Sequence, residues 1–87
     1  MINITLGDNI RKYRSKNNLS LRELADKINN SYKEKKISPS FISNIENDHH
    51  TPSLMKLKVI SDGLNVKMSD LIKNTKFDYT PISSQNY

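Results

Sequence analysis

The stretch Ser38-Pro39-Ser40-Phe41-Ile42-Ser43-Asn44-Ile45-Glu46-Asn47 predicts a short helix with two unlike faces. Ser38 can accept a hydrogen bond from a free backbone N–H, and Pro39 suits the first helical position because its missing donor costs nothing there. Three apolar side chains recur at helical spacing and form one stripe: Phe41, Ile42 and Ile45. The residues off that stripe are small and polar: Ser40, Ser43, Asn44 and Asn47. Such a face suits the edges of base pairs, which makes DNA recognition the first hypothesis.

The positive charge of the chain lies in its first part. Residues 1–36 contain nine basic and four acidic residues, whereas residues 37–87 contain five of each. Residues 1–36 therefore account for the whole formal net charge of +5. This asymmetry favours a polyanionic partner, nucleic acid first, although a merely soluble basic surface has the same composition.

The composition narrows the class of protein. There is no cysteine, so neither a disulfide framework nor a thiolate metal site is available. No apolar run approaches the roughly 20 residues of a membrane span, and the first residues are too polar for a signal peptide. No catalytic set or glycine-rich phosphate loop is present. We expect one small cytoplasmic domain that is not an enzyme, has no cofactor and does not contact a membrane.

Two helices are predicted before the opening stretch. Thr5 can cap the first, and Asn17-Asn18 can close it because Asn tolerates the left-handed conformation. Ser20 and Glu23 have the spacing of a capping box for the second helix, which we expect to end near Ile28. The buried face of the second helix is predicted to be Leu21, Leu24, Ala25 and Ile28.

Two more helices are predicted after it. Ser53 can cap a fourth helix, and Asn65 is a left-handed stop. A short fifth helix begins near Met68, with Leu71 and Ile72 buried. The inward side chains of the fourth helix are predicted to be Leu54, Leu57, Ile60 and Leu64.

Five segments together carry a family pattern. They are Ile10-Arg11-x-x-Arg14, Leu19-Ser20-x-x-Glu23-Leu24-Ala25, Ser38-Pro39-Ser40-Phe41-Ile42-Ser43-x-Ile45-Glu46-Asn47, Pro52-Ser53-Leu54-x-x-Leu57-x-x-Ile60, and Leu64-Asn65-Val66 with Asp70-Leu71-Ile72. In this order they resemble the lambda-repressor/Cro-like (XRE-type) helix-turn-helix regulators, most of all the compact repressors of Gram-positive bacteria and their phages. The resemblance implies an all-α, compact five-helix bundle with the helix-turn-helix in helices 2 and 3.

The resemblance also implies roles for single residues. The positions of Ser38, Pro39, Ser40, Ser43 and Asn44 are those that read bases in the major groove. Asn44 is the best candidate, because an amide can donate and accept together, ideally to adenine. The alternative is that Asn44 is simply a solvated polar residue.

Arg14 and Glu46 match the family positions that form an ion pair between the first and third helices. In that reading Arg14 has a structural role rather than a phosphate contact. The alternative is two unrelated surface charges.

The chain departs from the family in two places. Leu21 stands where many members have a Gln that contacts phosphate, so Arg22 or the helix N-terminus must supply that contact. The connection from Asn29 to Ile37 is also longer than the family's tight turn. Three lysines in this connection could reach phosphates or could form a solvated loop: Lys33, Lys35 and Lys36.

The residues after the third helix are further candidates for phosphate contacts. They are Asn47, His49 and His50. Adjacent histidines do not both ligate a metal easily, so a phosphate contact that strengthens at low pH is the better hypothesis.

We assign residues 1–74 to the DNA-binding domain and residues 75–87 to a tail. The tail is either flexible or docked through Phe77, Tyr79 and Ile82 on the domain or on a second protomer. The leading function is a sequence-specific double-stranded DNA-binding regulator, a repressor that binds a two-fold-related operator as a homodimer. The alternative is an antitoxin or anti-regulator, a protein-interaction module on the same fold, and a regulatory protein partner is compatible with both.

Overall fold

The computed structural model describes residues 4–32 and 36–78, which form five α-helices and no strand. The helices are α1 (Leu6–Lys16), α2 (Leu21–Ser31), α3 (Pro39–Glu46), α4 (Leu54–Leu64) and α5 (Met68–Ile72). The predicted all-α, five-helix architecture is confirmed. α3 packs against both α1 and α2, while α4 packs on α2 and α5 packs on α1 and α4.

The helix boundaries follow from local side-chain chemistry. The hydroxyls of four residues accept a hydrogen bond from a backbone N–H in the first turn of a helix: Thr5, Ser20, Ser38 and Ser53. The predicted capping box between Ser20 and Glu23 is present in both directions. After α1 and α4, Asn18 and Asn65 adopt the left-handed conformation, with φ of 55° and 59°. These ends are therefore encoded locally, as predicted.

One apolar core joins the five helices. Its most deeply buried members include Ile10 of α1, Leu24 of α2, Ile42 of α3, Ile60 of α4 and Leu71 of α5. Leu54 was predicted to point inward, but it is 73% exposed. It is the first residue of α4, and that end of the helix extends past the edge of the core. Ile72, also predicted to be buried, is only partly buried at the end of α5.

The prediction for the end of α2 was wrong. The helix continues to Ser31 instead of ending near Ile28. Ile37, which was assigned to a polar connection, is a core residue with 3% exposure. The side-chain amide of Asn29 donates to the carbonyl of Ile37 at 2.9 Å, and the backbone N–H of Ile37 donates to Oδ1 of Asn29 at 2.8 Å. This pair of hydrogen bonds joins the last turns of α2 to the residue before the cap of α3, and so closes the connection at its base.

A second contact ties the end of α2 to α4. The hydroxyl of Tyr32 donates to Asp62, and the ammonium of Lys58 donates to the same carboxylate at 2.9 Å. The hydrogen bonds from Tyr32 and Lys58 lower the pKa of Asp62 below its ordinary value. The inserted connection therefore begins and ends at residues that are held on the domain.

Within residues 73–78, which follow α5, two side chains pack on the domain. Thr75 is buried, and Phe77 lies partly buried against the core. The packed part of the chain thus extends past residue 74, and of the docking residues proposed for the tail, Tyr79 and Ile82 lie outside the described residues. Among the described residues, no helix is long and apolar enough to span a membrane.

Candidate nucleic-acid interface

The outer face of α3 is polar and accessible. Ser40, Asn44 and Asn47 are exposed, and Ser43 is half-buried beside them. Their positions recur at intervals of three and four residues, so they lie on one side of the helix. At the helix start, Ser38 is exposed and Pro39 is half-buried. All the residues predicted to read bases are therefore at the surface of the N-terminal end or the outer face of α3.

The inner face of α3 carries the apolar residues that hold it in place. Ile42 and Ile45 have 0% and 1% exposure, and Phe41 is partly buried against the core. Because these side chains fill the space between α3 and its neighbours, the polar residues cannot rotate inward without exposing the apolar stripe. The orientation of the polar face is thus a consequence of core packing.

An ion pair fixes the C-terminal end of α3 to α1. Nε of Arg14 lies 2.6 Å from Oε2 of Glu46, and Nη2 of Arg14 lies 2.9 Å from Oε1. Nη1 of Arg14 also donates to the carbonyl of Leu19 at 2.9 Å. The carboxylate is 3% exposed and the guanidinium side chain 18% exposed. The hydrogen bond to Glu46 raises the pKa of Arg14 above its ordinary value. Arg14 is therefore committed to a structural contact.

Arg11 makes a contact that the sequence interpretation missed. Its Nε lies 3.3 Å from Oε1 of Glu46, and its Nη2 donates to Oδ1 of Asn47 at 2.8 Å. No contact was predicted for Arg11 from the sequence. Its spacing of three residues from Arg14 was the available signal, because residues three apart lie on the same side of a helix.

The start of α1 lies directly against the end of α3. The backbone N–H of Gly7 donates to Oδ1 of Asp48 at 3.2 Å. Asp48 itself has a φ of 61°, which turns the chain away as α3 ends. The spacing of charged and apolar residues in the sequence did not indicate that the start of α1 contacts the end of α3.

The residues predicted to contact phosphates lie on several elements. Arg22 is exposed in the first turn of α2, and Lys36 is exposed shortly before the cap of α3. His49 and His50 are exposed after α3, and the ring of His50 packs edge-on to Phe41 at a centroid distance of 5.5 Å. Lys33 and Lys35 lie outside the described residues.

The described residues do not bring together three His, Cys, Asp or Glu side chains in a group that could hold a metal ion. The arrangement they do form is a firmly supported helix with short donors and acceptors on its outer face. Further exposed donor groups lie before this helix in the chain, on Arg22 and Lys36, and after it, on His49 and His50. Such a surface can bind a polyanion and can discriminate among hydrogen-bonding patterns.

Comparison with models of known protein families gives a match over most of the chain. Residues 10–71 match the model of a helix-turn-helix family of the XRE type, a span that includes the whole of α2, α3 and α4. No curated protein matches the chain.

Proposed function

The chain belongs to the XRE-type helix-turn-helix family, a family of DNA-binding regulators, and from this premise we propose that it is a sequence-specific repressor. In this proposal α3 lies in the major groove of double-stranded DNA. The observation that carries it is the exposed polar face formed by Ser40 and Asn44 of α3 and continued by Asn47 directly after the helix. The pair Arg14–Glu46 holds this helix on α1. We also propose that it acts in the cytoplasm, as compact repressors of Gram-positive bacteria and phages do.

Asn44 has the most specific role in this proposal. Its amide is exposed and can donate to and accept from one adenine edge. Ser40 and Ser43 contribute single hydrogen bonds that discriminate less. Ser38 and Pro39 bring the first turn of α3 close to the bases. A good direct contact of this kind contributes about 1–3 kcal/mol against a wrong base.

Affinity comes from other parts of the domain, because Glu46 is the only charged residue of α3. We propose that Arg22, Lys36 and Asn47 contact phosphates, and that His49 and His50 do so as well. Lys33 and Lys35 belong to the same proposed set. In this proposal the contacts to the DNA phosphates position the domain, and α3 recognises the base sequence.

A homodimer on a two-fold-related site completes the proposal. One recognition helix contacts only a few base pairs, so two half-sites are needed for useful discrimination. In a two-fold complex the spacing of half-sites would be about one helical turn of DNA or a multiple of it.

Selection of bound sequences from a random DNA pool tests this function. We expect enrichment of a palindromic site, lost for Asn44→Ala and kept for the control Asn30→Ala, which changes an exposed amide on α2. If six phosphates are neutralised, the logarithm of the affinity should fall with that of salt concentration with a slope of about −5. A wild-type protein that enriches no sequence and shows no salt dependence would contradict the proposal.

The second candidate is a protein-interaction module, an antitoxin or anti-regulator. It is favoured by Leu54 and Met55 of α4, which are 73% and 54% exposed. An apolar groove of about 290 Å³ lies beside Leu54 and is lined also by Pro52, Leu57, Met68, Ile72 and Phe77. Exposed apolar patches of this kind often mark binding surfaces. Replacing Asn44 and Ser40 by Ala should abolish specific DNA binding and leave a protein partner bound.

A further inference from the structure

Arg11 donates a hydrogen bond to the side chain of Asn47, and the proposed reading of bases by α3 gives this contact no role. We infer that Arg11 is a positioning residue that holds the side-chain amide of Asn47 with its NH₂ group towards the DNA backbone. The inference rests on the proposed function and deepens it. It states that the side-chain amide of Asn47, which is proposed to contact a phosphate, is already correctly oriented in the free protein.

The hydrogen bonds around Asn47 define that orientation. Nη2 of Arg11 donates to Oδ1 of Asn47 at 2.8 Å, so the amide oxygen faces α1. Nδ2 of Asn47 lies on the opposite side, 3.4 Å from Oγ of Ser43. That distance is at the long limit for a hydrogen bond, and Asn47 is exposed. The NH₂ group therefore keeps donor capacity that a ligand can use.

The two flips of an asparagine amide, with either the NH₂ group or the oxygen turned outward, bind a phosphate unequally. A phosphate oxygen accepts hydrogen bonds, so it is attracted by the NH₂ group and repelled by the amide oxygen. Without Arg11, the flip that turns Oδ1 outward is no longer excluded by a donor at Oδ1, and an encounter in that flip would require a rotation of the amide. An arginine bound to Oδ1 removes the unfavourable flip because Arg has donors only.

Arg11 is itself held by a chain of contacts that starts in the protein interior. Arg14 binds both oxygens of the buried Glu46, and Nε of Arg11 lies 3.3 Å from Oε1 of the same carboxylate. Side-chain contacts thus link Arg14 to Glu46, Glu46 to Arg11, and Arg11 to the exposed Asn47. The planar, multiple-donor geometry of Arg11 serves Glu46 and Asn47 together.

The competing explanation is that Arg11, which is 48% exposed, contacts a phosphate directly. The substitution Arg11→Lys separates the two explanations, because it keeps the charge and loses the planar fork. We propose to measure DNA affinity for Arg11→Lys in the wild-type background and in the Asn47→Ala background. If Arg11 acts through Asn47, the substitution weakens binding about two- to tenfold in the first background. In the second background it has little effect.

Equal weakening in both backgrounds, or no weakening in either, overturns the inference. The control Lys12→Gln removes a charge from the same helix at a residue whose ammonium lies over the Tyr13 ring, 5.2 Å from its centroid. Its effect should be the same with and without Asn47. Folding of each variant is checked by thermal unfolding, and the pair Arg14–Glu46 is left intact in all of them.

A measurement without DNA tests the positioning alone. In the free wild-type protein, ¹⁵N relaxation of the Asn47 side-chain amide should report a rigid group, and Arg11→Lys should make it mobile on the picosecond to nanosecond timescale. Unchanged mobility overturns the inference. A wild-type protein that binds no DNA overturns the proposed function and the inference with it, whereas a DNA-binding wild type with equal effects in both backgrounds overturns the inference only.

Discussion

Gly7 lies so close to Glu46 that a methyl group at position 7 would stand 2.3 Å from the Glu46 carbonyl oxygen. No real methyl group approaches a carbonyl oxygen that closely, and backbone cannot move aside as a flexible side chain can. The missing side chain at position 7 is therefore what lets α1 meet the end of α3. The same approach brings Arg14 and Arg11 to Glu46.

We expect Gly7→Ala to destabilise the protein by about 1–3 kcal/mol or more, the usual cost of overpacking a tight contact. Chemical denaturation measures the change in the free energy of unfolding. Gly63→Ala is the matched comparison, since its methyl group would meet the side chain of Ile28 at 2.8 Å, and a side chain can shift. The change at Gly63 should cost less, and an equal or larger cost there would contradict this explanation.

Asn9→Ala should also destabilise the protein, through the end of α5. Asn9 is 7% exposed, and its side-chain amide donates to the carbonyls of Leu71 at 2.7 Å and Lys73 at 3.0 Å. Removing it leaves those carbonyls without this donor, at a cost of about 1–3 kcal/mol. Urea unfolding is the measurement, and Asn30→Ala at an exposed position of α2 is the control. Equal stability of the two variants would refute the predicted role of Asn9.

Glu46→Gln should cost about 3–5 kcal/mol, towards the lower end because Arg14 keeps some exposure. The carboxylate is nearly inaccessible and is bound by both Arg11 and Arg14, so its loss leaves two guanidinium groups facing a neutral amide. A double-mutant cycle with Arg14→Leu should show strong coupling in the free energy of unfolding. Additive effects of the two substitutions would count against the pair as the link between α1 and α3. Lys58→Gln, in an exposed ion pair, should change stability little.

The stability of the protein should fall in acid partly through Asp62. The hydroxyl of Tyr32 and the ammonium of Lys58 lower the pKa of Asp62. A group whose pKa is lower in the folded state stabilises the protein above its unfolded pKa, and this contribution is lost as the pH falls through the folded pKa. Asp62→Asn should thus be less stable than wild type at neutral pH.

Below the folded pKa of Asp62 the difference between Asp62→Asn and wild type should shrink. Denaturation midpoints measured across the acid range test this, with the exposed carboxylate variant Asp26→Asn as the control. A difference that does not depend on pH would show that the ionisation of Asp62 has no part in stability.

The helix starts and most of the core could be predicted from the sequence, because these features depend on short-range patterns. The caps at Ser20, Ser38 and Ser53 need only a hydroxyl placed before an apolar-periodic segment. The prediction failed at Ile37 because its burial depends on a hydrogen-bond bridge from Asn29, eight residues earlier. It failed at Leu54 because helical periodicity does not say where the core ends.

The exposed positions of the candidate site were also predictable, since they are what remains when the apolar stripe of α3 turns inward. The contact partners were not. The residue pattern showed that Arg11 is basic, but only the packing of α1 on α3 brings its guanidinium to Asn47. The role proposed for Arg11 comes from that contact.

The sequence by itself determined five helices, the hydroxyl caps of four of them, and a third helix with a polar outer face, because local hydrogen bonding and periodic apolar spacing act within a few residues. The tertiary structure decided which helices touch, and therefore that Gly7 admits α1 to the end of α3 and that Arg11 reaches Asn47. These contacts join residues 35 or more positions apart. Their geometry depends on how whole helices pack, and no local pattern records the distance between two helices.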